Sequence, residues 1–204
     1  PPLAVNPRVR VRHSPRCYSV RAQEGVGRRA AAIGAGSAAL FVEEGVRRGW
    51  FQRDGRATKR DKRPNLETDE VVRVLDGALR KGYYITGDVP EEIFREDCRF
   101  VNPLSDVTGL ARYKQAVSTL FDVSRSSVTL VSIEAVGPRT IRARSILAGT
   151  LALPWSPSVK PTDVDAVYTL DDNQLIVRYE ETISRNGETL TGLDVLSWTF
   201  GGDR

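Results

Sequence analysis

The sequence predicts an α+β domain over residues 64–204, with helices first and an antiparallel sheet after them. Three observations carry this reading. Apolar residues recur at helical spacing from Leu66 to Tyr83 and again from Leu110 to Phe121; after Ser124 the period changes to two; and Gly, Pro and Asn-Gly breaks divide the second half into short runs.

Val72, Leu75, Leu79 and Gly82/Tyr83 place one apolar stripe on a helical region that Leu66 opens and Gly87-Asp88 ends. Pro90, Glu91 and Glu92 suit the first turn of a short second helix, where a missing N–H and negative charge are tolerated. Cys98, Phe100 and Asn102 then share one face of a strand that Pro103 closes. Thr108 or Asp106 is the expected cap of the next helix, whose stripe is Leu110, Tyr113, Val117, Leu120 and Phe121.

Four β-like runs follow: Val128 to Val136, Thr140 to Leu151, Val164 to Leu170 and Leu175 to Ser184. Gly137-Pro138, the stretch Leu153 to Pro161 and Asp171-Asp172-Asn173 separate them, and such short turns imply antiparallel neighbours. Alternation turns Ile141, Ala143, Ser145, Leu147 and Leu151 inward on the second run, against Arg142 and Arg144. It turns Leu175, Val177, Tyr179, Glu181 and Ile183 inward on the last, which leaves Glu181 as a carboxylate on an apolar face. Asn186-Gly187 suits a hairpin into another strand. The pattern Leu190, Leu193, Leu196, Trp198 and Phe200 fits helix and strand equally.

The 204 residues suit one domain and a tail. A net charge of +4 hides an asymmetry: residues 1–63 hold 15 Lys/Arg against 5 Asp/Glu, which leaves 15 against 21 for residues 64–204. Basicity therefore belongs to the front, and the folded part is expected to bind no nucleic acid. Residues 1–23 carry five arginines and no acid, the composition of a transit peptide or of a disordered tail; residues 24–63 read as a basic, disordered segment or a second targeting region. Within it, Ala30 to Val42 would rise about 20 Å as a helix, too short for a membrane core of about 30 Å. Arg28-Arg29 ahead of that run suits a thylakoid-transfer signal, but Glu43 and Glu44 stand where small residues are expected. Gly34 and Gly36 imitate a dinucleotide fingerprint without the βαβ context that makes one work. An anionic partner of the basic front is a further class of function, and depends on that front being retained.

Several stretches resemble a known family: Tyr84-Ile85-Thr86-Gly87-Asp88, Cys98 to Leu104, Asp106 to Leu110, Leu153-Pro154-Trp155 and Tyr168 to Asp171. The order of elements is similar to the nuclear transport factor 2-like cone, whose superfamily includes ketosteroid isomerase and the SnoaL-like polyketide cyclases. Within it, these stretches look like a domain-of-unknown-function family of plants, algae and cyanobacteria associated with plastids. Asn102 stands where the resemblance leads one to expect an aspartate. The resemblance implies that the antiparallel sheet is curved and wrapped on the N-terminal helices. It also implies a chloroplast protein, in the stroma or the thylakoid lumen, a homodimer through the open sheet face, and a cavity between sheet and helices. Alternation and resemblance together line that cavity with Tyr84, Phe100, Asn102, Tyr168, Tyr179 and Glu181, with Trp155 at the rim.

Two functions follow for such a site. One is binding of a small apolar ligand, or of a protein partner, without catalysis. The other is isomerase or cyclase chemistry, with Glu181 as general acid or base and Tyr84 or Tyr179 donating to a developing oxyanion. The same residues also read as plain core, with Glu181 paired to a buried tyrosine or arginine. The only histidine is His13, so residues 64–204 lack a His-based triad or zinc site, and no metal or cofactor is expected. Cys17 and Cys98 are the only cysteines, and Cys98 reads as a small buried hydrophobe.

Overall fold

Helix α1 (Thr68–Arg80) buries Val71, Leu75 and Leu79, one residue per turn, and places Asp69 and Glu70 in its first turn and Arg80 in its last. The structure is a computed structural model and describes residues 61–153, 155–192 and 194–195. The segment 1–23, nearly all of 24–63 with Gly34 and Gly36, and the residues Leu193, Leu196, Trp198 and Phe200 lie outside the described residues.

The helical pattern that runs through Tyr83 in the sequence is two helices in space. Gly82 adopts φ +75°, ending the first, and Tyr83 opens the short helix α2 (Tyr83–Thr86). Gly87, at φ +72°, closes α2 against the next helix: a Cβ there would lie 2.7 Å from Ser118 Cβ. Pro90 leads into a single 3₁₀ turn, Glu91–Ile93. Helix α3 (Leu110–Leu120) buries Leu110, Tyr113 and Val117. Its N-cap is Gly109, not Thr108 or Asp106. The latter two are taken up by strand β2, where Asp106 accepts from Arg99 Nε at 2.8 Å across the hairpin.

The strands are β1 (Phe94–Asn102), β2 (Ser105–Thr108), β3 (Ser127–Gly137), β4 (Thr140–Thr150), β5 (Ser158–Leu170), β6 (Ile176–Arg185) and β7 (Glu188–Thr189). Their order is β2-β1-β6-β5-β4-β3, with β7 on β6. All pairs are antiparallel except β1 with β6, so the sheet is mixed where a purely antiparallel one was expected. Turn length reports only on sequential neighbours, and β1 reaches β6 past a helix and the four strands β2 to β5.

Bulges bend this sheet and correct two expectations. The β5/β6 register shifts between Thr169 and Leu170, so Ile176, not Leu175 or Val177, is the buried residue at the start of β6; beyond the bulge Tyr179 and Ile183 resume the expected phase. Strand β5 begins at Ser158 and contains Pro161, which was read as part of a break. A register shift between Leu147 and Gly149 on β4 falls opposite it, the kind of place where a residue without an N–H is tolerated.

The inner face carries the core, where Ile141, Ala143, Val164, Ala166, Tyr168, Phe100 and Tyr179 meet Val71, Leu75 and Leu79 of α1 and Leu110, Tyr113 and Val117 of α3. The outer face is charged: Arg142 and Arg144 lie 4.0 and 3.7 Å from the carboxylate of Asp165. Lys62 ties the entering chain to the domain, donating to Glu91 O at 2.8 Å and pairing with Glu96 at 2.9 Å. Asn186 and Gly187, at φ +52° and +83°, make the tight turn into β7. After it, Thr191 caps a helical turn, its N–H and Oγ1 donating to Asp194 Oδ2 at 2.8 and 2.6 Å. Among the described residues no helix is long and apolar enough to cross a membrane.

Gly87 makes the packing of α2 on α3 testable. Gly87→Ala combines a left-handed backbone with a Cβ forced onto Ser118, so denaturant unfolding should show a loss of about 2 kcal/mol. A loss below about 0.5 kcal/mol would mean that α2 and α3 separate without consequence.

Candidate functional site: a tyrosine cluster ending on a carboxyl

Five tyrosines converge inside the domain from four elements. α2 supplies Tyr83 and Tyr84, α3 Tyr113, β5 Tyr168 and β6 Tyr179, and all five are buried. Tyr168 and Tyr179 face each other across the β5/β6 ladder, and Phe100 on β1 sits beside Tyr179 in the parallel pair. The rings fill the space between: Phe100 stacks on Tyr113 with centroids 3.8 Å apart, and Tyr168 and Tyr179 lie 5.2 Å apart, tilted.

Four of their hydroxyls are held in two hydrogen-bonded groups. Tyr168 Oη is shared, 2.5 Å from Tyr83 Oη and 3.0 Å from Tyr84 Oη. Tyr179 Oη donates to Glu181 Oε2 at 2.5 Å, two residues along the same face of β6. The phenols therefore fall into a Tyr83–Tyr168–Tyr84 group and a Tyr179–Glu181 pair, with the Tyr113 ring packed beside Tyr179. Of the two pairings the sequence left open for Glu181, the tyrosine is the one observed.

Burial pushes all five phenols above their usual range, so they stay neutral hydrogen-bonding groups. Glu181 is half-buried. Desolvation raises its pKa and the Tyr179 hydrogen bond opposes that rise, so the carboxyl holds its proton to higher pH than an exposed glutamate. Cys98 is buried, and desolvation pushes its thiol up to about 12, which makes it inert packing.

Of the residues singled out from the sequence, Tyr84, Phe100, Tyr168, Tyr179 and Glu181 are brought together. Asn102 serves the backbone: its Oδ1 accepts from the N–H groups of Leu104 at 2.9 Å and Ser105 at 2.8 Å, holding the β1/β2 turn. That role needs only an acceptor, so asparagine does there what aspartate would. Trp155 is 50% exposed in a turn beyond β4 and is not a member of the aromatic cluster. Tyr83 and Tyr113 were assigned only to helix faces. Their inward stripes were the available signal, but periodicity does not say that two such stripes bring their rings into one cluster. Among the described residues no group of three or more His, Cys, Asp or Glu is placed to hold a metal.

An α+β chain with a curved mixed sheet closed over N-terminal helices is the architecture of the nuclear transport factor 2-like cone. Residues 69–179, just over half of the chain, match the family described as "Uncharacterized conserved protein (DUF2358)", and the chain belongs to that family. No curated protein matches it. Among solved structures it is similar to a putative SnoaL-like polyketide cyclase from Jannaschia sp. CCS1, at 17% identity and TM-score 0.46, covering 71% of this chain and 99% of that one. An NTF2-like protein of unknown function from Cytophaga hutchinsonii is similar at 13% identity and TM-score 0.42, over 58% and 91% of the two chains. A LEH-like epoxide hydrolase of M. tuberculosis is similar at 18% identity and TM-score 0.43, over 66% and 98%.

Two measurements check the cluster. Tyr168→Phe removes the oxygen that Tyr83 and Tyr84 share, and should lower unfolding free energy by about 1–3 kcal/mol; an unchanged midpoint would show that the shared bond is absent. For Glu181 the folded pKa is above the unfolded value of 4.5. The folded state then binds more protons in that window, and stability falls as pH rises from 4.5 through the raised pKa. Glu181→Gln should remove that fall, so the difference in Tm between wild type and variant varies across the window and is flat above it. A difference independent of pH would contradict the raised pKa.

Proposed function

We propose that this domain binds a small molecule with an apolar body and a hydrogen-bonding oxygen, and that the oxygen is held by the Glu181–Tyr179 pair. The observation that carries the reading is the half-buried Glu181 carboxyl, hydrogen-bonded to Tyr179 beside four further buried tyrosines in a mostly apolar core. Neutral phenols and a carboxyl whose neutral form is favoured by burial suit carbonyl and hydroxyl groups better than ions. Binding without chemistry is the favoured form, because the histidine is confined to position 13 and the thiol of Cys98 is held protonated. The test is calorimetry of the full chain with para-phenylphenol: wild type binds, and Glu181→Gln weakens binding at least tenfold. Equal affinity for both proteins would overturn the reading.

A second reading rests on the 2.5 Å bond from Tyr179 to Glu181 together with the raised carboxyl pKa. A partly desolvated carboxylate beside neutral phenols can take a proton next to a carbonyl while a phenol steadies the oxyanion. Proton NMR of a cyclic β,γ-unsaturated ketone in deuterated buffer separates the two. Exchange at the α-carbon that depends on Glu181 makes the domain an enzyme, and exchange at the rate of the buffer leaves it a binder.

A further inference from the structure

Asn102 and Glu181 come from different strands and stand side by side. In the parallel pair of β1 with β6, Phe100 lies beside Tyr179 and Val101 beside Glu180, so one step further on Asn102 comes level with Glu181. Each continues the inner face of its strand, two residues beyond the buried rings of Phe100 and Tyr179. Unlike the packed positions deeper on that face, both are partly exposed, at the place where β1 ends and the chain turns into β2.

Each has hydrogen-bonding capacity left over. Asn102 Oδ1 is taken up by the turn, accepting from the N–H groups of Leu104 and Ser105 and from the Ser105 hydroxyl at 3.2 Å. That use fixes which end of the amide is which, and the two N–H donors of Nδ2 meet no acceptor among the described residues. Glu181 Oε2 accepts from Tyr179, while Oε1 has no partner among the described residues. The turn does not ask for an amide, since an aspartate would offer it the same acceptor; the Nδ2 donors are what asparagine adds. Neighbouring strands lie about 5 Å apart, and one oxygen bonded to a group on each of them, at about 2.9 Å to either side, spans that gap.

We infer that Asn102 is a second ligand-binding residue, whose amide donates to the same ligand oxygen that Glu181 holds, so that this oxygen is gripped from β1 and β6 at once. This rests on the binding reading given above and deepens it. A carboxyl alone would also take an ammonium group, which has no lone pair to offer the amide; the pair selects an oxygen that accepts, in a hydroxyl or a carbonyl group.

The experiment is calorimetry of the full chain with para-phenylphenol, in wild type, Asn102→Asp, Glu181→Gln and the double variant that exchanges carboxyl and carboxamide between the two strands. Asn102→Asp keeps the acceptor of the turn and should keep the near-ultraviolet circular dichroism of the folded protein. Each single variant should weaken binding about tenfold, the worth of one hydrogen bond to a charged or polar partner. The double variant again sets one carboxyl beside one carboxamide and should bind more tightly than either single variant. Unchanged affinity in Asn102→Asp, or a double variant no tighter than the single ones, overturns the role of Asn102 and leaves the Glu181 site standing where Glu181→Gln alone weakens binding. Loss of the folded spectrum in Asn102→Asp would show that the turn itself needs the amide, and overturns the role of Asn102 as well. No binding by wild type, or equal binding by wild type and Glu181→Gln, overturns both readings together.

Discussion

A phenol can be buried at low cost only if its hydroxyl finds a partner, and that requirement is directional where apolar packing is not. Tyr168 Oη answers it for two neighbours at once, Tyr83 and Tyr84. Because those two residues are half of α2, a helix of only four residues, the shared oxygen fixes how that helix is turned against β5. The two left-handed glycines that bracket α2, Gly82 and Gly87, make this possible: they let the chain leave α1, present adjacent tyrosines to one point, and turn away. Hydrophobic burial assembles the cone; the hydroxyl bonds decide which arrangement of it is unique.

The same requirement explains why the polarity of the interior is concentrated at Glu181. Each buried phenol is neutral and has one proton to donate, and the Tyr179 hydroxyl meets its acceptor at Glu181 Oε2. A carboxyl deeper among the rings would lack the solvent contact that moderates its charge, and one farther out would be an ordinary surface acid. At a half-buried position with a single short hydrogen bond, burial still outweighs the bond. Ala166, opposite Glu181 on β5, matters for the same reason, since it adds neither a polar partner nor bulk beside the carboxyl.

Much of this architecture was legible because period is a local property. Ile141, Ala143 and Ser145 alternate with Arg142 and Arg144, and their face follows directly. Glu181 and Tyr179 stood out for the same reason, as polar members of an inward set. What local pattern cannot carry is a pairing between distant segments. The parallel union of β1 with β6 and the meeting of Tyr83, Tyr113 and Tyr168 are decided by the closing of the whole sheet. Bulges are a third blind spot. Leu175 and Val177 follow the strand period faithfully, yet one inserted residue beside them shifts the phase, and Ile176 goes inward instead. Gly109 was missed as a cap because Asp106 and Thr108 looked better suited to the role, and both had been claimed by a strand too short to show a period.

Strand β3, eleven residues long, is one border of the sheet among the described residues, and β2 is the other. An uncovered border of that length is a template on which a foreign strand can assemble. The register slip at Val131 interrupts the template midway, and turns a large apolar side chain out to 53% exposure in place of an even ladder. A strand approaching from outside therefore finds two short stretches out of step with each other rather than one long one. The irregularity that helps curve the sheet over its helices also guards the domain against polymerising along its own edge.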